Sequence, residues 1–446
     1  MKKIVLFLLT GAISFNISAQ TPAQEIDEMM KQYAKQNSFN GVVLVAQKEN
    51  VLLQKGYGYK NIAARTLNDT NTAFQIGSLT KQFTAAIILQ LQEQHKISLQ
   101  DKLSKYIPDY PHGDSITIEN LLTHTSGIYN YTNDEDFMKN KSSNPLKPDS
   151  LIALFKNKPL DFSPGTKYNY SNSGYVLLGY IIEKITGKSY FTIIEENIFK
   201  PLGMTRSGFD FKKLKNQNKA TGYFRVNPEK AEAAAIIDSS VSYAAGSIYT
   251  TVGDLYKWDR ALYTRKIMHD SSLQKAFTPF ISNYGYGWVI DSAYGKKVVM
   301  HEGGIPGFAS FIARIPTDRI CIILLDNKES PGLPKIAENI NSILNQQPYD
   351  FPKPRTEISV DTAILKQYTG QYQVSSKFIL MISLENGQLI LQATGQQKNE
   401  LFAERENFFF MKLADTQVEF VKDIYGKIES LILYQYQQKI PAVKIK

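Results

Sequence analysis

Apolar positions recur at helical spacing over residues 26–36 and then collapse into unbroken runs. Gly41-Val42-Val43-Leu44-Val45-Ala46 and Val51-Leu52-Leu53-Gln54-Lys55-Gly56-Tyr57 read as the arms of a hairpin, with Gln47 to Asn50 at its turn. A helical middle follows over 79–93, 118–123, 175–186 and 192–199, punctuated by Pro108, Pro164 and Pro201. Thr251-Val252-Gly253-Asp254 has the form of a capping box, with Thr251 as N-cap and Asp254 bonding back, which gives Asp254 a structural job. From 284 to 326 the pattern turns to strands, and a helix over 335–344 closes the unit. Strands at both ends with helices between predict one mainly antiparallel sheet built from distant parts of the chain, its faces covered by helices.

Pro348, Pro352 and Pro354 among polar residues mark a linker over 346–362. Beyond it, short strands are separated by Asn386-Gly387, Gly395 and Tyr425-Gly426, a spacing that predicts a small β-barrel or sandwich over 363–446. The main unit is then 20–345. The chain begins Met1-Lys2-Lys3, continues through Ile4-Val5-Leu6-Phe7-Leu8-Leu9 and reaches Ile17-Ser18-Ala19, the form of a secretory leader over 1–19 cut after Ala19. Asn16 and Gln20 leave this run short of the roughly 20 apolar residues a membrane anchor needs. The expectation is an exported protein, periplasmic or secreted, without a transmembrane anchor.

At 446 residues and 43% hydrophobic content the chain can bury a large core. Its single cysteine, Cys321, excludes an internal disulfide and lies in the apolar run Arg319-Ile320-Cys321-Ile322-Ile323-Leu324-Leu325, where it reads as a small core hydrophobe. Five histidines and no H-E-x-x-H give no metal site, and no cofactor is expected. The net charge of +9 comes from scattered lysines without a basic run, so no nucleic-acid partner is expected.

The candidate chemistry is in Phe74-Gln75-Ile76-Gly77-Ser78-Leu79-Thr80-Lys81-Gln82-Phe83-Thr84. A serine and a lysine three residues apart share one face of a helix, so the amine of Lys81 can take the proton of the Ser78 hydroxyl. A helix start also favours negative charge, which suits a serine that must carry an acyl group. The spacing alone is weak, since Ser272-Leu273-Gln274-Lys275 repeats it without context.

Three further segments supply the context: Leu121-Leu122-Thr123-His124-Thr125-Ser126-Gly127; Phe162-Ser163-Pro164-Gly165 with Tyr168-Asn169-Tyr170-Ser171-Asn172-Ser173-Gly174-Tyr175; and His301-Glu302-Gly303-Gly304-Ile305-Pro306-Gly307. Together with Ser78 and Lys81 they closely resemble the serine β-lactamase and penicillin-binding-protein superfamily, in its class C β-lactamase-like branch, over roughly 26–344. That branch includes D-amino-acid-directed peptidases and esterases. The resemblance implies an α/β (α+β) β-lactamase/transpeptidase-like fold, with the C-terminal segment similar to the lipocalin-like modules appended to some of these peptidases. It makes Ser78 the nucleophile, Lys81 its partner and Tyr170 a shared proton relay. Asn172 would bond the lysine and the substrate amide, and the N–H groups of Ser78 and Gly304 would hold the oxyanion. Tyr59-Lys60-Asn61 and Tyr131-Thr132-Asn133 share the Tyr-x-Asn spacing, but only Tyr170 has the Pro-Gly and Tyr-Ser-Asn surroundings. Whether Lys81 or Tyr170 is the base stays open.

One departure bears on substrate. The best-known β-lactamases carry Lys-Thr-Gly where this chain has His301-Glu302-Gly303, so substrate carboxylates should be held less strongly. His301, Gly303 and Gly304 remain the expected substrate-binding residues. His124 reads as a buried, backbone-bonded residue fixing the Thr-Ser-Gly turn, and Ser126 and Ser171 as turn and capping hydroxyls. The absence of G-x-S-x-G disfavours a Ser-His-Asp hydrolase. The leading expectation is an acyl-enzyme hydrolase acting on small D-amino-acid peptides or esters. Its rivals are a carboxylesterase, a weak β-lactamase, and a non-catalytic protein binding muropeptides or an apolar ligand in the barrel. The oligomeric state is not readable.

Overall fold

The computed structural model describes residues 20–446 except 216, 227–230, 331, 353–354, 377, 395–397, 412–415 and 436–437. The leader expected over 1–19 lies outside the described residues. The larger, N-terminal unit is built on a six-stranded antiparallel sheet. Its strands are β1 (Gly41–Gln47), β2 (Asn50–Gly56), β3 (Val289–Ala293), β4 (Lys296–Ile305), β5 (Phe308–Ile315) and β6 (Ile320–Asp326), in the order β2-β1-β6-β5-β4-β3. Distant parts of the chain meet at its centre, with Gly41 opposite Asp326 and Gln47 opposite Ile320. A Cβ on Gly41 would lie 1.9 Å from the Leu325 carbonyl oxygen, so only glycine permits this approach.

Alternation explains why β1 and β6 are apolar throughout. Val43, Val45, Ile320, Ile322 and Leu324 pack with α1 (Pro22–Lys35) and the terminal helix Leu333–Leu344. Val42, Leu44, Ala46, Cys321, Ile323 and Leu325 face the opposite, helical layer. Two-sided burial leaves no place for the polar half of an alternating pattern. Cys321 is fully buried in that layer. The helical layer contains α2 (Thr80–Glu93), α3 (Asn172–Thr186) and α4 (Val252–Ala261). Among the described residues no helix is long and apolar enough to cross a membrane, and no cluster of side chains could hold a metal.

Three expectations need correction. Thr251 accepts the Asp254 N–H, but the Asp254 carboxylate does not bond back. It accepts instead from Arg206 N at 2.8 Å and Ser207 Oγ at 2.9 Å, pinning a neighbouring turn. The helix expected over 192–199 changes pitch, running as an α-helix over Tyr190–Ile194 and as a π-helix over Glu195–Phe199. Thr362–Tyr368, at the end of the expected linker, is a helix capped by Asp361, whose side chain accepts the Ala363 N–H.

The C-terminal unit is a barrel, not a sandwich. Among the described residues, eight consecutive antiparallel strands run from Gly370–Ser375 to Gln438–Lys444, and the first closes on the last through Tyr372 opposite Lys444. Apolar side chains build its core. Tyr368 from the preceding helix stacks on Phe420 with ring centres 4.3 Å apart, and Leu380, Leu391 and Leu433 pack around them.

One buried group generates a prediction. Asp326 ends the central strand, fully buried, and accepts N–H bonds from Asn40 at 3.3 Å and Lys328 at 3.1 Å. Burial pushes its carboxyl from 3.8 up to about 7. Between those values the folded chain keeps a proton that the unfolded chain has released, so this group lowers stability as pH rises from about 4 to about 7. Asp326→Asn keeps an acceptor and removes the titration. Its melting temperature should gain on wild type progressively over that window and hold the gain above it, worth a few kcal/mol at about 1.36 kcal/mol per pH unit. A difference that stays constant from pH 4 to 8 in calorimetry would contradict this.

Candidate active site

Ser78 sits in the 3-10 turn Gly77–Leu79, immediately before α2 rather than at its first residue. Gly77 adopts φ +49, and a Cβ there would lie 2.7 Å from the Gly304 carbonyl oxygen. The turn is pressed against β4. Ser310 on β5 reinforces the junction by donating to the Ile76 carbonyl at 2.8 Å.

Lys81 lies one turn on, fully buried. Its Nζ is 3.0 Å from Ser78 Oγ, 2.8 Å from Asn172 Oδ1 and 2.8 Å from the Ala245 carbonyl. Asn172 opens α3, and its Nδ2 donates to Thr132 Oγ1 at 3.1 Å, which turns its oxygen towards the lysine. The Ala245 carbonyl is delivered by the Ser239–Gly246 segment, where Tyr243 is held at φ 38, ψ −134. Such backbone strain persists only where surrounding contacts enforce it. Burial pushes the Lys81 amine well below its usual range, because a charged ammonium loses its water there.

Tyr170 completes the cluster. Burial pushes its phenol up, and a hydrogen bond with the Ser78 side chain partly offsets this. Its ring centre lies 4.8 Å from Lys81 Nζ and 4.2 Å from the ring of His124. His124 is buried at φ 56, and its Nδ1 accepts the Ser171 N–H at 3.1 Å. It therefore holds the backbone between Tyr170 and Asn172 more than its own turn. The Thr-Ser-Gly turn is instead zipped to the Pro-Gly segment by Gly165 N to Thr125 O at 2.8 Å and Asn169 N to His124 O at 3.0 Å. Ser126 Oγ accepts the Ile128 N–H as a turn hydroxyl. Ser171 occupies the N-cap of α3, but its side chain makes no capping bond and its Oγ is buried without a partner, which corrects the capping expectation. Ser272, of the decoy pair, is buried on the helix Asp270–Ala276.

His301 borders the cleft, yet both ring nitrogens are engaged. Nδ1 donates to the Glu302 carbonyl at 2.5 Å, and the Tyr284 hydroxyl donates to Nε2 at 2.8 Å. Burial, aided by Lys81, lowers its pKa to about 4, so the ring is neutral at pH 7. Gly303 and Gly304 differ in role. A Cβ on Gly303 would fall 2.1 Å from the Ile76 carbonyl oxygen and 2.2 Å from Ser310 Oγ, whereas one on Gly304 meets open space. Sequence reasoning missed Tyr284, Thr132 and the Ala245 carbonyl. Tyr284 stands in a Tyr-Gly-Tyr-Gly-Trp stretch that carries no catalytic signature, and a carbonyl leaves no trace in sequence.

These groups open onto a cleft of about 1680 Å³. Ser78, Tyr170 and Glu302 line one wall, and Phe410, Leu433 and Lys439 of the barrel line another.

The family profile described as Beta-lactamase matches residues 26–345, and one described as a domain of unknown function (DUF3471) matches 354–443. The chain belongs to the β-lactamase and penicillin-binding-protein superfamily and is a serine hydrolase. It is 30% identical to penicillin-binding protein 4* of Bacillus subtilis over 96% of this chain and 100% of that one. Among solved structures it is similar to an octameric penicillin-binding protein homologue from Pyrococcus abyssi, with TM-score 0.67, 26% identity, and 94% and 99% of the two chains covered. A D-stereospecific amidohydrolase from Streptomyces sp. matches with TM-score 0.57 and 27% identity, over 67% of this chain and 94% of that one.

The two glycines give a testable contrast. Gly303→Ala should cost about 1–3 kcal/mol by forcing β4 away from the Ile76–Ser78 turn. Gly304→Ala should leave the melting temperature close to wild type. Equal melting temperatures for the two variants would contradict the proposed contact.

Proposed function

We propose that this chain is an exported serine hydrolase that works through an acyl-enzyme on Ser78, with D-amino-acid amides and short D-peptides as its leading substrates. The observation that carries the reading is the set of atoms around the Lys81 amine. A neutral amine has two N–H donors and one lone pair. Two of its three neighbours, Asn172 Oδ1 and the Ala245 carbonyl, can only accept, and the third, the Ser78 hydroxyl, can donate. The neutral amine, the form that burial favours, can therefore give its two N–H groups to the carbonyls and accept the Ser78 proton on its lone pair.

In the proposed acylation, Lys81 Nζ removes the Ser78 proton as Oγ bonds to the substrate carbonyl carbon. The negative charge moves to the carbonyl oxygen, where the N–H groups of Ser78 and Gly304 receive it. Collapse breaks the bond to the leaving amine or alkoxide, which takes the proton back from the Lys81 ammonium through the phenol of Tyr170. Water then attacks the ester by the same route and frees Ser78. Lys81 is the base and Tyr170 the relay, because burial favours the neutral form of both the amine and the phenol. Asn172 orients the amine and reaches for the substrate amide.

The D-directed substrate class is supported by the likeness to a D-stereospecific amidohydrolase and by a neutral His301 in place of a cation that would hold a carboxylate. The leader expected over 1–19 supports export.

Intact-mass spectrometry after exposure to a fluorophosphonate tests the nucleophile. Wild type should gain one adduct that maps to Ser78, and Ser78→Ala should gain none. An adduct at Ser126 or Ser171, or an undiminished adduct on the variant, would overturn the assignment.

A further inference from the structure

Glu302 is the residue of the cleft that the proposed chemistry leaves unused. Successive residues of β4 alternate between faces: His301 and Gly303 are buried, while Glu302 and Gly304 are exposed to the cleft. The carboxylate thus shares a face with the glycine whose N–H is assigned to the oxyanion. It lies near enough to Tyr170 to act electrostatically on the phenol. Among the described residues no cation pairs with it, and its own pKa is raised by burial alone.

A carboxylate that faces the cleft without a cation partner is chemically suited to a substituted ammonium, through a charge-assisted hydrogen bond. It is unsuited to a carboxylate, which it repels. Neutral His301 adds no opposing charge.

We propose that Glu302 is a specificity residue that receives a free amino group on the acyl side of the substrate, next to the scissile carbonyl. The proposal rests on the acyl-enzyme reading and narrows it: the enzyme selects acyl donors with an uncapped amine and discriminates against N-acylated ones. On this assignment the sequence His301-Glu302-Gly303 does more than weaken carboxylate binding, because it sets a carboxylate beside the scissile carbonyl.

The test measures protection of Ser78 from a neutral fluorophosphonate by D-alaninamide and by N-acetyl-D-alaninamide, in wild type and Glu302→Gln. Binding is thereby read without requiring turnover. In wild type the free amine should protect at roughly 10–100-fold lower concentration than the capped amide, the range for a hydrogen bond to a charged group. In Glu302→Gln the ratio of the two protection constants should fall close to one. Equal protection by both amides in wild type, or a ratio that survives in the variant, overturns the role of Glu302 while leaving Ser78 labelling intact. If the variant does not fold, the wild-type ratio alone decides. Absence of any label on Ser78 overturns the acyl-enzyme reading and this proposal with it.

Discussion

Lys81 Nζ has three oxygen neighbours within 3.0 Å in a fully buried site, and each comes from a different stretch of chain. A charged ammonium there would lose its hydration without gaining a carboxylate partner, so burial drives the amine towards neutrality. Much of the surrounding structure arranges those oxygens. Gly77 bends the chain so that Ser78 meets the lysine, Thr132 rotates the Asn172 amide, and the strained Tyr243 backbone delivers the Ala245 carbonyl. Thr84 on α2 braces the same segment by donating to the Ala244 carbonyl at 2.7 Å.

The sheet makes this arrangement rigid. β1 and β6 are buried on both faces, and the glycine and serine residues of β4 and β5 let the Ile76–Ser78 turn lie directly on strand backbone. Ser78 is therefore held from one side by backbone contact with β4 and from the other by the helical layer. His124 is coupled to this frame through its stack on Tyr170 and its bond to Ser171, which makes it a positioning residue for the segment that carries the phenol.

Much of the architecture was legible because it is written in local pattern. The unbroken run at Ile320–Asp326 announced a strand buried on both faces, and the helical spacing around Ile87, Ile88 and Leu91 announced α2. The four motif segments likewise named residues that the fold gathers around one cleft. What escaped depends on contacts between distant residues. Tyr284 meets His301 only once β3 and β4 pair, and Thr132 meets Asn172 across a folded loop. Turn spacing could not separate a barrel from a sandwich, because closure is decided by the pairing of Tyr372 with Lys444. Asp254 misled because a local capping signal does not reveal which tertiary partner wins the side chain, and Ser171 because an N-cap position does not ensure a capping bond.

The central claim is that burial holds the Lys81 amine far below the ordinary lysine range, and lysine side-chain carbon NMR tests it directly. With 13C at Cε, and Lys81→Met used to assign the signal, the Lys81 resonance should titrate well below the ordinary 10.5. A Lys81 signal that stays in the charged position up to pH 10 would contradict the account.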